Sequence, residues 1–226
     1  MNNKNYGILN LRFLDKIIEK KRYEMFEIFK KKLSNNSINS FLDIGTTEES
    51  LLSSSNFFVK KFDPIKVKKS ISNQNIEDKK FNYFIKKSIT EEFFLDEINK
   101  FKSDLVISSA TIEHVGNFKN QKKMVQNIIN LTNKYFFVTT PYRFYPIDFH
   151  TKIPFIHMLP KQIHRKILNI LNLKDFAKEE NLNLLDISSV KEIIEELNIK
   201  DFKIEILKIK LFGMISNLII FGQRLK

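Results

Sequence analysis

The way the chain closes constrains its fold most. FKIEILKIK at 202–210 and NLIIFGQRL at 217–225 are strand-like runs that face one another around Gly213. Such a pair is a hairpin, and a hairpin is antiparallel. Upstream stand five more strand-like runs: FLDIG at 41–45, IKVKKSIS at 65–72, FNYFIKKSI at 81–89, SDLVISSA at 103–110 and KYFFVTTP at 134–141. Helical patterns alternate with them, as βαβ units require, so these five pair largely in parallel with helices on both faces. The expected fold is α/β, with a seven-stranded mixed sheet that is parallel except for a closing hairpin at one edge.

Apolar residues at helical spacing mark the covering elements. Leu14, Ile17, Ile18, Met25, Phe26, Ile28, Phe29 and Leu33 make 11–33 one or two amphipathic helices, and SNNSINS at 34–40 is a turn-rich connector. Residues 46–62 open a helix with Thr or Ser caps and stop at Asp63-Pro64; further helices are expected at 117–133, 160–171 and 188–198. One domain over 1–226 results, with an N-terminal helical segment at 1–37 and an insertion at 141–180.

A chain of 226 residues, 42% of them hydrophobic, can bury a real core, and zero Cys rules out disulfides, thiolate nucleophiles and Cys-ligated metal. The start has no apolar signal-peptide core, and LFGMISNLIIF at 211–221 is too short to span a bilayer, so a soluble, cytoplasmic protein is expected. The net charge of +12 has two readings. Abundant Lys, Asn, Ile and Phe all have AT-rich codons, which accounts for it without a partner. Alternatively it reflects an anionic partner such as a phosphorylated metabolite, a nucleic acid or a lipid surface.

Scarce residues mark the functional end. Of 5 glycines, Gly45 ends the first strand and Gly116 follows the fourth, where open α/β sheets bind ligands. Four of the 5 prolines (Pro141, Pro146, Pro154 and Pro160) crowd one irregular stretch with Tyr142, Phe144, Tyr145, Phe149, Phe155, His150, His157 and His164. A long, apolar, Pro-bent segment after a strand end is usually functional.

LDIGTT (42–47), SSATIEHVGN (108–117) and TTPYRFYPIDFHTKIPFIHMLPK (139–161), in that order and spacing, resemble class I S-adenosylmethionine-dependent methyltransferases. The resemblance is to bacterial methyltransferase-domain proteins carrying a TPxRxxPxxFHT segment and an ENLNLL-like stretch, here Glu180 to Leu185. It covers roughly residues 20–225 and implies a Rossmann-like sheet, S-adenosyl-L-methionine as cofactor, and O- or N-methylation of a small molecule or a glycan or lipid-linked acceptor.

The resemblance also implies roles. Asp43, Gly45, Thr46 and Thr47 would hold the amino-acid half of the cofactor, although two glycines of the family's D-x-G-x-G-x-G pattern are absent. The ribose partner would be Asn73 or Gln74, with Asp63 as a rival; Asn73 fits the spacing best. Ser88 falls where an Asp usually meets the adenine. Ser109, Ala110 and Glu113 would line the methionine side. His114 is a candidate general base or a packed support for its loop, and Asp148 with His150 forms a base-like or structural pair. Tyr142, Arg143 and Phe149 would meet the acceptor, Arg143 by clamping an anionic group or by pairing at the surface.

No metal is expected, because His157 and His164, seven apart, have no carboxylate set nearby. PKQIHRKILNIL at 160–171 is a helix packed on the domain or lying at a membrane surface. Nucleic acid is not an expected partner: no RNA-module signature is present and a Pro-bent aromatic lid suits a compact ligand. A catalytically degenerate or RNA-binding relative is the alternative reading, and the missing G-x-G-x-x-G argues against a dinucleotide oxidoreductase.

Overall fold

A computed structural model describes residues 12–33, 37–47, 56–61, 65, 67–76 and 81–225. The strands β1 (Ser40–Ile44), β2 (Val67–Ser72), β3 (Tyr83–Lys86), β4 (Ser103–Ser109), β5 (Thr132–Pro141), β6 (Phe202–Leu211) and β7 (Met214–Arg224) form one sheet in the order β3-β2-β1-β4-β5-β7-β6. The first five pair in parallel, and β7 runs antiparallel to both β5 and β6. The sheet is therefore the expected one: Rossmann-like, with its crossover reversal between β1 and β4. Phe212 and Gly213, at φ 50° and 81°, make the two-residue turn between β6 and β7, and only glycine takes such a conformation without strain.

Period-2 alternation sends adjacent side chains to opposite faces. Phe41, Leu105, Phe137 and Phe221 face α1 (Arg12–Leu33) and α2 (Phe57–Lys61), where Phe29 is fully buried with its ring 4.6 Å from that of Phe137. Leu42, Val106, Phe136 and Ile220 face the other way, onto α4 (Phe118–Asn130) and α7 (Ile187–Leu197). Burying each such aromatic or aliphatic side chain contributes about 1.5–3 kcal/mol. Asn117 caps α4 by accepting from the Asn120 N–H at 3.0 Å, and Asp186 caps α7 by accepting from the Ser189 N–H at 2.9 Å.

The helix at 11–33 is single. The helix expected over 46–62 is described only as α2, and the Thr and Ser caps proposed for it, apart from Thr46 and Thr47, lie outside the described residues, as do Asp63 and Pro64. β3 pairs over four residues rather than 81–89, which leaves Ser88 beyond its end. Two helices have no counterpart among those expected: the four-residue α6 (Lys174–Ala177) and α3 (Leu95–Phe101), the latter because Phe101 is its sole buried side chain. The C-terminus of α3 is held from outside: the buried Lys69 ammonium, on β2, donates to the carbonyls of Lys100 at 2.7 Å and Lys102 at 2.8 Å.

The segment after β5 runs through two isolated bridges to α5 (Lys161–Ile170) and α6 (Lys174–Ala177), which share a small core of Leu168, Phe176, Leu182 and Leu184. α5 turns His164 and Leu168 inward, while Ile163 and Ile170 are 47% and 83% exposed. No helix among the described residues is long and apolar enough to cross a membrane.

Candidate functional site

A cavity of about 580 Å³ opens at the carboxyl ends of β1, β4 and β5, within the range of small-ligand sites. Asp43, Gly45 and Thr47 form one side, Ser109, Ala110 and His114 another, and Pro141, Phe149 and His150 a third. The fourth wall is α1, through Ile18, Arg22 and Met25. The helical segment that the sequence places before the sheet thus closes the site.

Asp43 ends its strand in a buried position and accepts from the Thr46 hydroxyl, which in turn lies 2.8 Å from the Ser70 hydroxyl. Burial pushes the Asp43 carboxyl up to about 6, against the lowering effect of that hydrogen bond. A carboxylate so placed is suited to a cationic ligand group. Gly45 turns the chain at φ 88° and donates its N–H to Ile71 at 2.9 Å. Thr47 is pinned by Asn56, whose carbonyl oxygen accepts from the Thr47 N–H at 3.0 Å while its amide donates to the Thr47 carbonyl at 2.6 Å.

β4 ends in a strained turn. Ala110 sits at φ 53° with its N–H bonded to Thr139 at 2.9 Å, and the 3-10 turn Ile112–His114 follows. Glu113 is fully buried and accepts from Thr140 Oγ1 at 3.0 Å through Oε2. His114 Nδ1–H donates to the Asn181 carbonyl at 2.6 Å, which leaves Nε2 with its lone pair. Burial, and then the charge on His150, lowers the His114 pKa.

Across the cavity mouth, Asp148 closes a tight turn by accepting from the N–H groups of His150 and Thr151, both at 3.1 Å. Its Oδ1 lies 3.0 Å from His150 Nδ1, while His150 Nε2 lies 3.7 Å from Glu113 Oε1. Burial works to lower the His150 pKa, but the hydrogen bond to Asp148 and the nearby charge of the Glu113 carboxylate outweigh it and push it up to about 10. The same contacts overcome the upward push of burial on both carboxyls and hold Asp148 and Glu113 below the usual range. The rings of His114 and His150 meet edge to face at 4.9 Å.

The remaining candidates stand elsewhere. Asn73 follows β2 in an exposed position and Ser88 bonds Thr90 at 2.8 Å; neither lines the cavity. Thr46 and Glu113 lie just beneath its surface, and Ser109 is on it. Phe149 lines it, stacked on Tyr145 at 5.4 Å, whereas Tyr142 packs edge-on against Phe144. Arg143 ties the lid to itself, donating to the Leu159 carbonyl at 2.9 Å with Asp186 at 3.9 Å.

Sequence reasoning missed Asn56, Asn181 and Asn183. Asn183 is buried: its amide donates to the Gly116 carbonyl at 2.8 Å, its N–H to the Glu113 carbonyl at 2.7 Å, and its side-chain oxygen accepts from Lys161 at 2.6 Å. The ENLNLL stretch was the signal, since two asparagines amid leucines on a non-helical segment call for backbone partners.

No protein-family model matches the chain, and no curated protein does. Solved structures do share the fold. Plantazolicin methyltransferase BpumL, solved with a triazolic desmethylPZN analog and SAH, aligns at TM-score 0.57 and 11% identity over 92% of this chain and 85% of that one. N-methyltransferase NodS from Bradyrhizobium japonicum WM9 aligns at 0.51 and 9% over 91% and 97%. Magnesium protoporphyrin IX methyltransferase (ChlM) from Synechocystis PCC 6803, with bound SAH, aligns at 0.52 and 11% over 97% and 90%. The chain has the class I methyltransferase fold.

Proposed function

We propose that this protein is an S-adenosylmethionine-dependent methyltransferase acting on a small-molecule or glycan acceptor. The observation that carries the reading is the cavity at the carboxyl ends of β1 and β4, floored by a buried carboxylate and walled by aromatic and imidazole side chains. SAH bound in two neighbours of the same fold supports the choice of cofactor. The residues present fit it: Asp43 offers a negative partner for the cofactor's ammonium, and Gly45 and Thr47 offer backbone and hydroxyl groups beside it.

When bound, the cofactor supplies a methyl group on a sulfonium centre. The chain's own work is then placement and exclusion of water. Asp43 anchors one end. Ala110 and the 3-10 turn after β4 set the floor under the reacting centre. Residues 141–180 serve as the acceptor-side lid, with Phe149 and Pro141 as apolar wall and the Glu113–His114–His150–Asp148 cluster as its polar face.

Calorimetry with S-adenosylhomocysteine tests the reading. Binding that Gly45→Val weakens severely is expected, followed by transfer of radiolabelled methyl in an acceptor screen. A folded wild-type protein that binds neither S-adenosylmethionine nor S-adenosylhomocysteine at millimolar concentration ends it.

A further inference from the structure

The cluster of Glu113, His114 and His150 is drawn from two segments far apart in sequence, yet each residue offers a donor atom and the three lie within 4.8 Å of one another. Each is also fixed from behind. Asp148 Oδ1 holds Nδ1 of His150 at 3.0 Å, the Asn181 carbonyl takes the Nδ1–H of His114 at 2.6 Å, and Thr140 Oγ1 holds Oε2 of Glu113 at 3.0 Å. An outer partner on the far nitrogen of each imidazole and on the carboxylate is the arrangement that orients metal ligands. What remains in front is Nε2 of His150, Nε2 of His114 and Oε1 of Glu113.

The Glu113 oxygen is an independent sign. It belongs to a fully buried side chain and has no hydrogen-bond partner among the described residues, with His150 Nε2 at 3.7 Å too far to provide one. A buried carboxylate oxygen is costly to leave so. Donors held about 2.1 Å from one cation stand roughly 3–3.5 Å apart, so a small contraction of the cluster satisfies that oxygen.

We propose that Glu113, His114 and His150 form a binding site for a divalent first-row transition cation. Two imidazoles and one carboxylate favour Zn²⁺, Co²⁺, Mn²⁺ or Fe²⁺ over Mg²⁺ or Ca²⁺, which take oxygen ligands. The cation takes the place of the proton on His150 Nε2, which leaves to solvent. His114 and His150 line the cavity, so the open coordination positions face the space beside Ala110 and Phe149. On the methyltransferase reading, on which this part rests, the acceptor is then an oxygen-bearing ligand bound through that cation, and the reaction an O-methylation. The expectation that the chain has no metal rested on His157 and His164. That pair is not involved: His157 Nε2–H donates to the Tyr145 carbonyl at 2.6 Å.

The test is titration of the metal-free full chain with Zn²⁺, Mn²⁺ or Co²⁺ alone, read by calorimetry, by the visible absorption of Co²⁺ and by melting temperature. One equivalent should bind and raise the melting temperature of the wild type, a readout that needs no variant. Glu113→Gln and His150→Ala should each lose about 100-fold or more in affinity, and Asp148→Asn about 10–100-fold with the Co²⁺ spectrum altered. His157→Ala should bind as wild type does. Absence of binding to a folded wild type overturns the site and leaves the His150 imidazolium as the cluster's cation, as does binding that survives in a folded Glu113→Gln/His150→Ala double variant. S-adenosylhomocysteine binding, measured separately without metal, distinguishes failure of this site from failure of the methyltransferase reading.

Discussion

Thr111 Oγ1 occupies the space that a Cβ on Gly45 would need: the two atoms would stand 2.3 Å apart. Gly45 is therefore fixed twice, by its positive φ and by a side chain from the turn after β4, and the two strand ends that frame the cavity are fitted to one another. Gly45→Ala should destabilise the protein by roughly 2–4 kcal/mol, combining backbone strain and overpacking. Adding Thr111→Ala removes the closest contact and should restore about half in denaturant unfolding, leaving the strain. Full additivity of the two variants would show that Thr111 is not the obstacle.

Asp43 makes stability depend on pH in a direction unusual for a carboxyl. Its pKa of about 6 lies above the ordinary 3.8, so between those values the folded chain binds more protons than the unfolded one. Stability should fall as pH rises through that window, by about 3 kcal/mol in all, and the cost is fully present above pH 6. Asp43→Asn should be the more stable chain at pH 7.5 and lose that advantage near pH 4. Urea unfolding at both values checks this, and a gap that widens on acidification reverses the assignment.

The same carboxyl should govern cofactor binding. If the ionised form holds the ammonium, the apparent affinity for S-adenosylhomocysteine should be about ten-fold weaker at pH 5 than at pH 7.5, and Asp43→Asn should flatten the profile. A pH-independent Kd in the wild type places the ammonium elsewhere.

Asn183→Ala should leave the Gly116 carbonyl without its buried donor and the Lys161 ammonium without its acceptor, costing about 1–3 kcal/mol. Because the Glu113–His114 turn is held by this segment, methyl transfer should fall more than S-adenosylhomocysteine binding does. Equal losses in both would mean that the segment supports the cofactor side.

Gly222→Ala probes the far side of the sheet. Gly222 pairs with Phe136 across β5 and β7, and a Cβ there would stand 2.0 Å from the Phe136 ring. The expected cost is about 1–3 kcal/mol, with melting several degrees lower and cofactor affinity unchanged, since neither residue lines the cavity.

The chain's strands and long helices were legible because their signals are local. SDLVISSA and KYFFVTTP read as strands because each is a short, contiguous apolar run of a kind that a sheet covered on both faces buries, and the stripes of 11–33 and 117–133 depend on neighbours three and four residues away. The closing hairpin around Gly213 and the adjacent Glu113 and His114 were legible for the same reason. α3 was not, since it buries Phe101 alone and is completed by Lys69, a residue that reads in sequence as an ordinary strand lysine.

What the sequence by itself determined is the α/β sheet, its antiparallel edge and the two strand-end segments where polar side chains gather. Tertiary structure alone decided that Glu113 meets the Asp148–His150 pair, that the Asn181 carbonyl fixes the tautomer of His114, and that α1 walls the cavity. Those contacts join positions 37 and 67 residues apart, or lie across crossovers whose lengths carry no record of where they end. A pattern of two or four residues reports how a segment buries its own face. Which faces then meet is set by packing all of them on one sheet.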